Sequence, residues 1–189
     1  AIQYSQLGSP DVLNYVSVPA PLPKPNEVVV RIQAAGVNHG DIHYRRGLPG
    51  MRTSLPHIPG LDGAGIVEEV GSQTRSIKVG DRILINPGFS CGVCSHCLAG
   101  EKSYCHKYIV LGREINGTYV DRIALPEENV IPIPDHLSFD YAAAIPVAYL
   151  TAWNMVATKA KVQPGDTVLV TAAGSGVSTA AIQIAKLMG

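Results

Sequence analysis

The sequence predicts a mixed fold, α+β passing into α/β: a β-rich first part, then the opening strand and helix of a parallel sheet. Three observations carry this. Residues 27–35, EVVVRIQAA, alternate, with Val28, Val30, Ile32 and Ala34 on one face and Val29, Arg31 and Gln33 on the other. That pattern marks a half-buried antiparallel strand. Residues 166–171, DTVLVT, have an apolar centre without a break and lead through a small-residue turn into an amphipathic helix. Between these two regions lie all four cysteines of the chain, spaced C-x2-C-x2-C-x7-C.

After the strand at 27–35, short extended runs recur at 64–70, 81–86, 117–125 and 129–132. Gly-Asp, Pro-Gly and Asn-Gly steps punctuate them. Many short strands with few helices suggest a sandwich or a partly open barrel. The cysteine loop is an excursion between two of those strands. After Pro134 the pattern changes. A short helix is expected at 138–144 and a longer one at 146–160, containing Trp153. Residues 166–171 then read as a parallel strand buried on both faces. Val177, Ala180, Ala181, Ile184, Ala185 and Met188 follow at helical spacing. Strand, glycine-containing turn and helix are the first half of a βαβ nucleotide-binding unit.

Cys91, Cys94, Cys97 and Cys105 are the strongest chemical signal. Four thiolates converging from one short loop make the closed tetrahedral site that structural zinc prefers. Gly92 and Gly100 give the loop freedom to wrap around an ion. The alternative is two disulfides, which would suit a secreted chain, and no signal peptide is recognisable. His96 and His106 lie beside the thiols and could replace one as a ligand. A site filled by four protein ligands leaves no position for substrate, so this zinc would be structural.

Composition narrows the function classes. With 189 residues the chain can hold one large domain, or one domain and part of another. Lys plus Arg equals Asp plus Glu, at 15 each, so no electrostatic argument favours nucleic acid or a membrane surface. Aromatics, at 6%, are too sparse for a base-stacking platform. No apolar run is long enough for a transmembrane helix. The expectation is a soluble, cytoplasmic protein acting on a small molecule.

A first strand of a doubly wound sheet sits centrally and needs a neighbour on each side. No later strand follows here. The sequence is therefore read as an N-terminal fragment, a whole first domain plus the start of a second. Alone it is expected to be inactive, and to self-associate through 166–171 or the neighbouring helices.

Gly36–Asp41 (GVNHGD), residues 59–71 (PGLDGAGIVEEVG), the cysteine loop and residues 166–186 together resemble the zinc-containing medium-chain dehydrogenase/reductase superfamily, that of alcohol dehydrogenase and quinone oxidoreductase. The resemblance implies a GroES-like β domain at 1–134 with a zinc lobe at 88–107, connecting helices at 135–160, and the start of a Rossmann NAD(P)-binding domain at 161–189. It also implies an oxidoreductase, homodimeric or homotetrameric, with one structural zinc.

At the catalytic metal the chain departs from the family. Zinc-using members carry a cysteine where this sequence has Asn38, a histidine at Leu61 and a third ligand at Val147. The family's proton-relay hydroxyl is replaced by Gly40. Asn, Leu and Val cannot hold Zn²⁺. A second site built from His39, His43 and Asp62 is the remaining metal alternative. Quinone and enone reductases of the superfamily have an Asn at the position of Asn38, whose amide would hydrogen-bond the substrate carbonyl or orient the nicotinamide. The plainer reading of Asn38 is a turn-stabilising residue. His43, as a proton donor, and Tyr44 are the accompanying catalytic candidates, with surface hydrogen bonding as the alternative for His43.

For the cofactor, alignment puts the family's G-x-G-x-x-G on Ala173, Ser175 and Ser178, with Gly174, Gly176 and Val177 among them. Small residues at a helix N-terminus suit a pyrophosphate. The Ala-Ala-Gly loop resembles the quinone-reductase branch and tilts the expectation to NADP over NAD. Together these features imply NAD(P)H-dependent reduction of quinones or activated carbonyls and alkenes without a catalytic zinc. The alternatives are an alcohol or aldehyde oxidoreductase and a non-catalytic scaffold.

Overall fold

A computed structural model describes residues 1–48 and 53–189, which form two compact units, Ala1–Ala144 and Ile145–Gly189. The division falls inside the stretch read as connecting helices.

The first unit is built on antiparallel strands. A small ribbon pairs β1 (Ile2–Gln3) with β2 (Asn14–Tyr15). The main elements follow as β3 (Glu27–Gly36), α1 (His39–Arg46), β4 (Asp62–Val70) and β5 (Arg82–Ile85). The cysteine lobe runs from β6 (Gly88–Phe89) through α2 (Ser95–Leu98) to β7 (Ile109–Val110), and β6 and β7 close its base as a second ribbon. β8 (Arg122–Pro126), β9 (Val130–Pro132) and α3 (Phe139–Ala143) complete the unit.

Five strands form one sheet in the order β8-β3-β4-β5-β9. β8 and β9 are therefore opposite edges, yet they are consecutive in sequence. In a flat sheet four strand spacings would separate them by about 19 Å. The four residue steps from Pro126 to Val130 reach at most about 14 Å. The sheet must coil on itself, which is the partly open barrel expected from the strand pattern. Irregularities in the β3–β4 register, at Val29/Val30 and Ile32/Ala34, add local twist. Val28, Val30, Val67, Ile83, Ile85, Leu111 and Leu125 pack as the core within this curl. Val29 shares its face with Arg31 and Gln33, but it is as fully buried as its two neighbours.

Two expectations in this unit need correction. The strand read at 117–125 begins only at Arg122. Before it, Gly117, Thr118 and Tyr119 give their N–H groups to the carbonyls of Ile58, Gly60 and Pro59, clasping that loop instead of joining a ladder. The helix α1 was not anticipated at all. Its start carries an N-x-x-D signal: the Asp41 carboxylate accepts the N–H of Asn38, the N-cap, at 2.8 Å.

In the second unit, α4 (Pro146–Trp153) passes into a π-helical turn, Asn154–Lys159, where one continuous helix was expected. α5 (Gly176–Met188) lays Ala180, Ala181 and Ile184 against Ala152, Val156 and Val162. Residues 166–171 form no strand and pair with none among the described residues, and Leu169 is 88% exposed. The expectation of a strand buried on both faces is thus not met within this chain. A strand exists only through its hydrogen-bonded neighbours, and these 45 residues offer no strand to pair with. No described helix is long and apolar enough to cross a membrane.

Candidate functional site

Asn38 sits where β3 gives way to α1, half-buried and held from two sides. Its backbone N–H is bound by Asp41, as above. Its side-chain Nδ2 donates to Asp62 Oδ2 at 2.9 Å. Asp62 opens β4 directly opposite Gly36 of β3 and is only 2% exposed. A Cβ on Gly36 would stand 2.9 Å from that of Asp62 and 2.8 Å from the Ala143 carbonyl oxygen. A glycine at 36 is what lets the Asp62 side chain cross the strand to reach Asn38.

A second layer lies beneath. Asp41 Oδ1 accepts the Gly60 N–H at 3.1 Å, and Oδ2 lies 3.2 Å from the donating hydroxyl of Tyr119. That hydroxyl also lies 3.3 Å from the Gly36 carbonyl. Burial raises the Asp41 pKa above the ordinary carboxylate value, outweighing the N–H groups of Asn38 and Gly60 that pull it down. The Tyr119 pKa is also raised, first by burial and then by the Asp41 carboxylate. Thr118, fully buried, donates to the Asp62 carbonyl at 2.6 Å. The tertiary fold thus gathers residues 36–41, 60–62 and 118–119 into one polar cluster.

Of the residues singled out as catalytic, Asn38 lies at the heart of this cluster. Tyr44 lies along α1, its ring near the Leu61 side chain across Gly40. The Arg113 guanidinium sits 5.9 Å from the centre of that ring. His43 is exposed on the same helix. His39 is exposed as well, whereas Asp62 is buried; the alternative metal set of His39, His43 and Asp62 does not converge, since the described residues contain one potential metal-binding group, the cysteines. Leu61 is buried and its side chain carries no atom that could ligate a metal. Val147 lies in α4 of the second unit. Sequence reasoning missed Tyr119 and Thr118. Nothing local marks them; only the clasp on 58–60 brings them to the site. A groove of about 660 Å³ lined by Val18, Phe89, Leu111 and Ile123 has none of the cluster's side chains on its wall.

In the lobe, the four Sγ atoms of Cys91, Cys94, Cys97 and Cys105 all lie within 4.8 Å of one another. Cys94 and Cys97 are 3.5 Å apart and Cys91 and Cys97 3.9 Å. A tetrahedral zinc with Zn–S bonds near 2.3 Å requires sulfur–sulfur edges of about 3.8 Å, so the set fits that ion. Gly92 and Gly100 both adopt positive φ, at 72° and 79°, which supplies the turns that close the loop. The N–H groups of Cys91 and Lys107 each point at Cys105 Sγ at 3.3 Å. N–H groups of Val93 and Cys94 draw the Cys91 thiol down to about 6. Cys94 is pushed up to about 11: the Cys97 N–H pulls it down, but lost solvation and the neighbouring thiols outweigh that. Thiols so close cannot all ionise without a cation between them. His96 instead faces Glu101, at 3.3 Å, and packs on His106 and Tyr104.

The candidate cofactor turn is ordered by its own hydroxyls. Ser175 caps α5 by accepting the Ser178 N–H, and Ser178 Oγ reaches back to the Thr171 carbonyl at 2.9 Å. Thr179 Oγ1 binds the Ala173 carbonyl. Gly176 and Val177 open the helix, where N–H groups have no partner in the helical ladder. Space around Gly174 is open: an added Cβ there would meet nothing within 4 Å. This arrangement fits an anionic group at the helix N-terminus.

Comparison with known proteins fixes the family. Residues 24–135 match the alcohol dehydrogenase GroES-like domain. The chain belongs to that family, within the medium-chain dehydrogenase/reductase superfamily. An alcohol dehydrogenase of Geobacillus stearothermophilus is 40% identical over 165 residues, 86% of this chain and 48% of the relative. The quinone oxidoreductase of Sus scrofa is 35% identical over 190 residues, covering 100% of this chain and 50% of that protein. Among solved structures, an NAD-dependent alcohol dehydrogenase superposes with a TM-score of 0.96 at 51% identity, over 100% of this chain and 55% of that one. The chain spans about half the length of the relatives it matches.

Proposed function

We propose that this chain supplies the substrate-side domain and the first cofactor-binding turn of an NAD(P)H-dependent oxidoreductase that works without a catalytic zinc. Its substrates are quinones or activated carbonyls and alkenes. The observation that carries this reading is the hydrogen bond from the Asn38 amide to Asp62, at a position where the family resemblance implies a zinc-binding cysteine and this chain has neither thiolate nor imidazole.

When bound, the nicotinamide cofactor supplies the hydride. The residues of this chain position and polarise. Asn38 offers an amide, rigidly held, to the substrate carbonyl or to the carboxamide of the nicotinamide. Tyr44 and His43 follow on α1 as the accompanying candidates, with His43 exposed as a proton donor. Gly176 and Val177 N–H groups, with the small residues Ala173 to Ser178, receive the pyrophosphate. Cys91, Cys94, Cys97 and Cys105 hold one structural zinc, distant in role from the chemistry. The protein acts in the cytoplasm as a homo-oligomer. NADPH is favoured over NADH on the small-residue loop alone.

The decisive measurement is kcat/KM for an enone or a quinone with NADPH and with NADH, wild type against Asn38→Ala. Loss of one transition-state hydrogen bond predicts a fall of about a hundredfold, ~3 kcal/mol, with the melting temperature little changed. A chelator that strips only accessible metal leaves the rate unchanged. Equal rates for the two proteins remove Asn38 from the mechanism.

A second reading, an alcohol or aldehyde oxidoreductase using NAD, is favoured by the 51% identity to an NAD-dependent alcohol dehydrogenase. It predicts turnover of alcohols with NAD, with activity lost to the chelator and indifferent to Asn38.

A further inference from the structure

From the geometry around Asn38 we infer that Asp62 is a positioning residue for the reaction, one that fixes the side-chain amide of Asn38 in a single orientation. The inference rests on the reading of Asn38 given above. The amide of Asn38 presents its nitrogen rather than its oxygen to Asp62, donating from Nδ2 to Oδ2 at 2.9 Å. The Asp41 carboxylate already fixes the backbone at the same residue through its N–H, at 2.8 Å. Backbone and side chain are thus pinned by separate carboxylates from separate elements, α1 and β4. Such double fixation removes the rotamer freedom that a half-exposed asparagine would otherwise retain.

Asp62 is itself held for this task. It is 2% exposed, its own carbonyl takes the buried Thr118 hydroxyl, and its side chain crosses the strand over Gly36. Asn38 therefore meets the reacting group with a defined face.

The test is a double-mutant cycle in the full-length enzyme, with Asn38→Ala, Asp62→Asn and both together, assayed on an enone with NADPH. Asp62→Asn is expected to lower kcat about tenfold with KM within about twofold of wild type. Added to Asn38→Ala, it is expected to cause no further loss, because its effect runs through Asn38. Additive losses, or an unchanged kcat in Asp62→Asn, overturn the inference while leaving Asn38 in place. An unchanged kcat in Asn38→Ala instead overturns the underlying reading. Should Asp62→Asn fail to fold, NMR of the wild-type chain decides. The Asn38 side-chain NH₂ protons are expected to be shifted and slow to exchange. Averaged signals typical of a free amide overturn the inference.

Discussion

Single carboxylates do unusual amounts of organising work in this chain. Glu127 is a clear case, because it stands in the three-residue link between opposite sheet edges. Its Oε1 accepts the N–H groups of Arg75, Ser76 and Ile77 at 2.9, 2.5 and 3.0 Å, and the Ser76 hydroxyl at 2.8 Å. Those donors, the Ser76 N–H foremost, hold its carboxyl down to about 2 from an ordinary 4.5. A group lowered by folding stabilises fully above its unfolded value and loses that contribution as pH falls through the folded one. Glu127→Gln is therefore expected to lower the melting temperature at pH 6 to 7, with the gap to wild type narrowing below pH 4.5 and closing near pH 2. A gap that does not change with pH would show that Glu127 acts by shape alone. Asn38 illustrates the limit of residue-scale reading from sequence. The structure makes it the N-cap of α1 and gives its side chain a partner 24 residues away, Asp62, that no local pattern announces.

At the scale of elements, the cysteine lobe has little burial to hold it, so a zinc bound by its four cysteines would carry its folding. Val93 and Leu98 are 79% and 76% exposed, and α2 is four residues long, too short to persist by itself. Metal binding and local folding are therefore coupled there. Native mass spectrometry is expected to count one zinc per chain. Cys94→Ser is expected to lose that zinc and to raise amide exchange through residues 88–107, while the β3–β4 amides stay protected. Retention of zinc by the variant, or a disulfide in the wild type, would overturn the four-cysteine assignment. The lobe was legible because metal spacing is local: four ligands within fifteen residues need no distant partner. The helix α1 was not, since eight residues with few apolar positions carry little periodicity, and only its cap signals it.

For the whole molecule, the second unit exposes what a sheet normally covers. Val168 and Leu169 stand 38% and 88% exposed along a segment that pairs with no strand among the described residues. Unsatisfied backbone groups beside apolar side chains recruit strands from other chains. The 189-residue chain is expected to self-associate in a concentration-dependent way by analytical ultracentrifugation. Leu169→Lys should weaken that association without altering the circular dichroism of the first unit. A chain that stays monomeric at high concentration, or an association indifferent to Leu169→Lys, counts against this edge.

Sequence alone determined the features set by near neighbours along the chain. These are the alternating strand at 27–35, the metal-spaced cysteines, the amphipathic α5 and the small-residue turn before it. It also placed Asn38, Leu61 and Val147, which carry no thiolate or imidazole, where the family resemblance implies the ligands of a catalytic zinc. Only the tertiary structure decided how far the sheet curls, because that follows from which strands lie at its edges and how short a link joins them. Only the tertiary structure joined Asp62 to Asn38 across Gly36, and Tyr119 to Asp41 across 78 residues. Hydrogen bonds over such separations leave no periodic trace, since they arise from register and curvature rather than from composition.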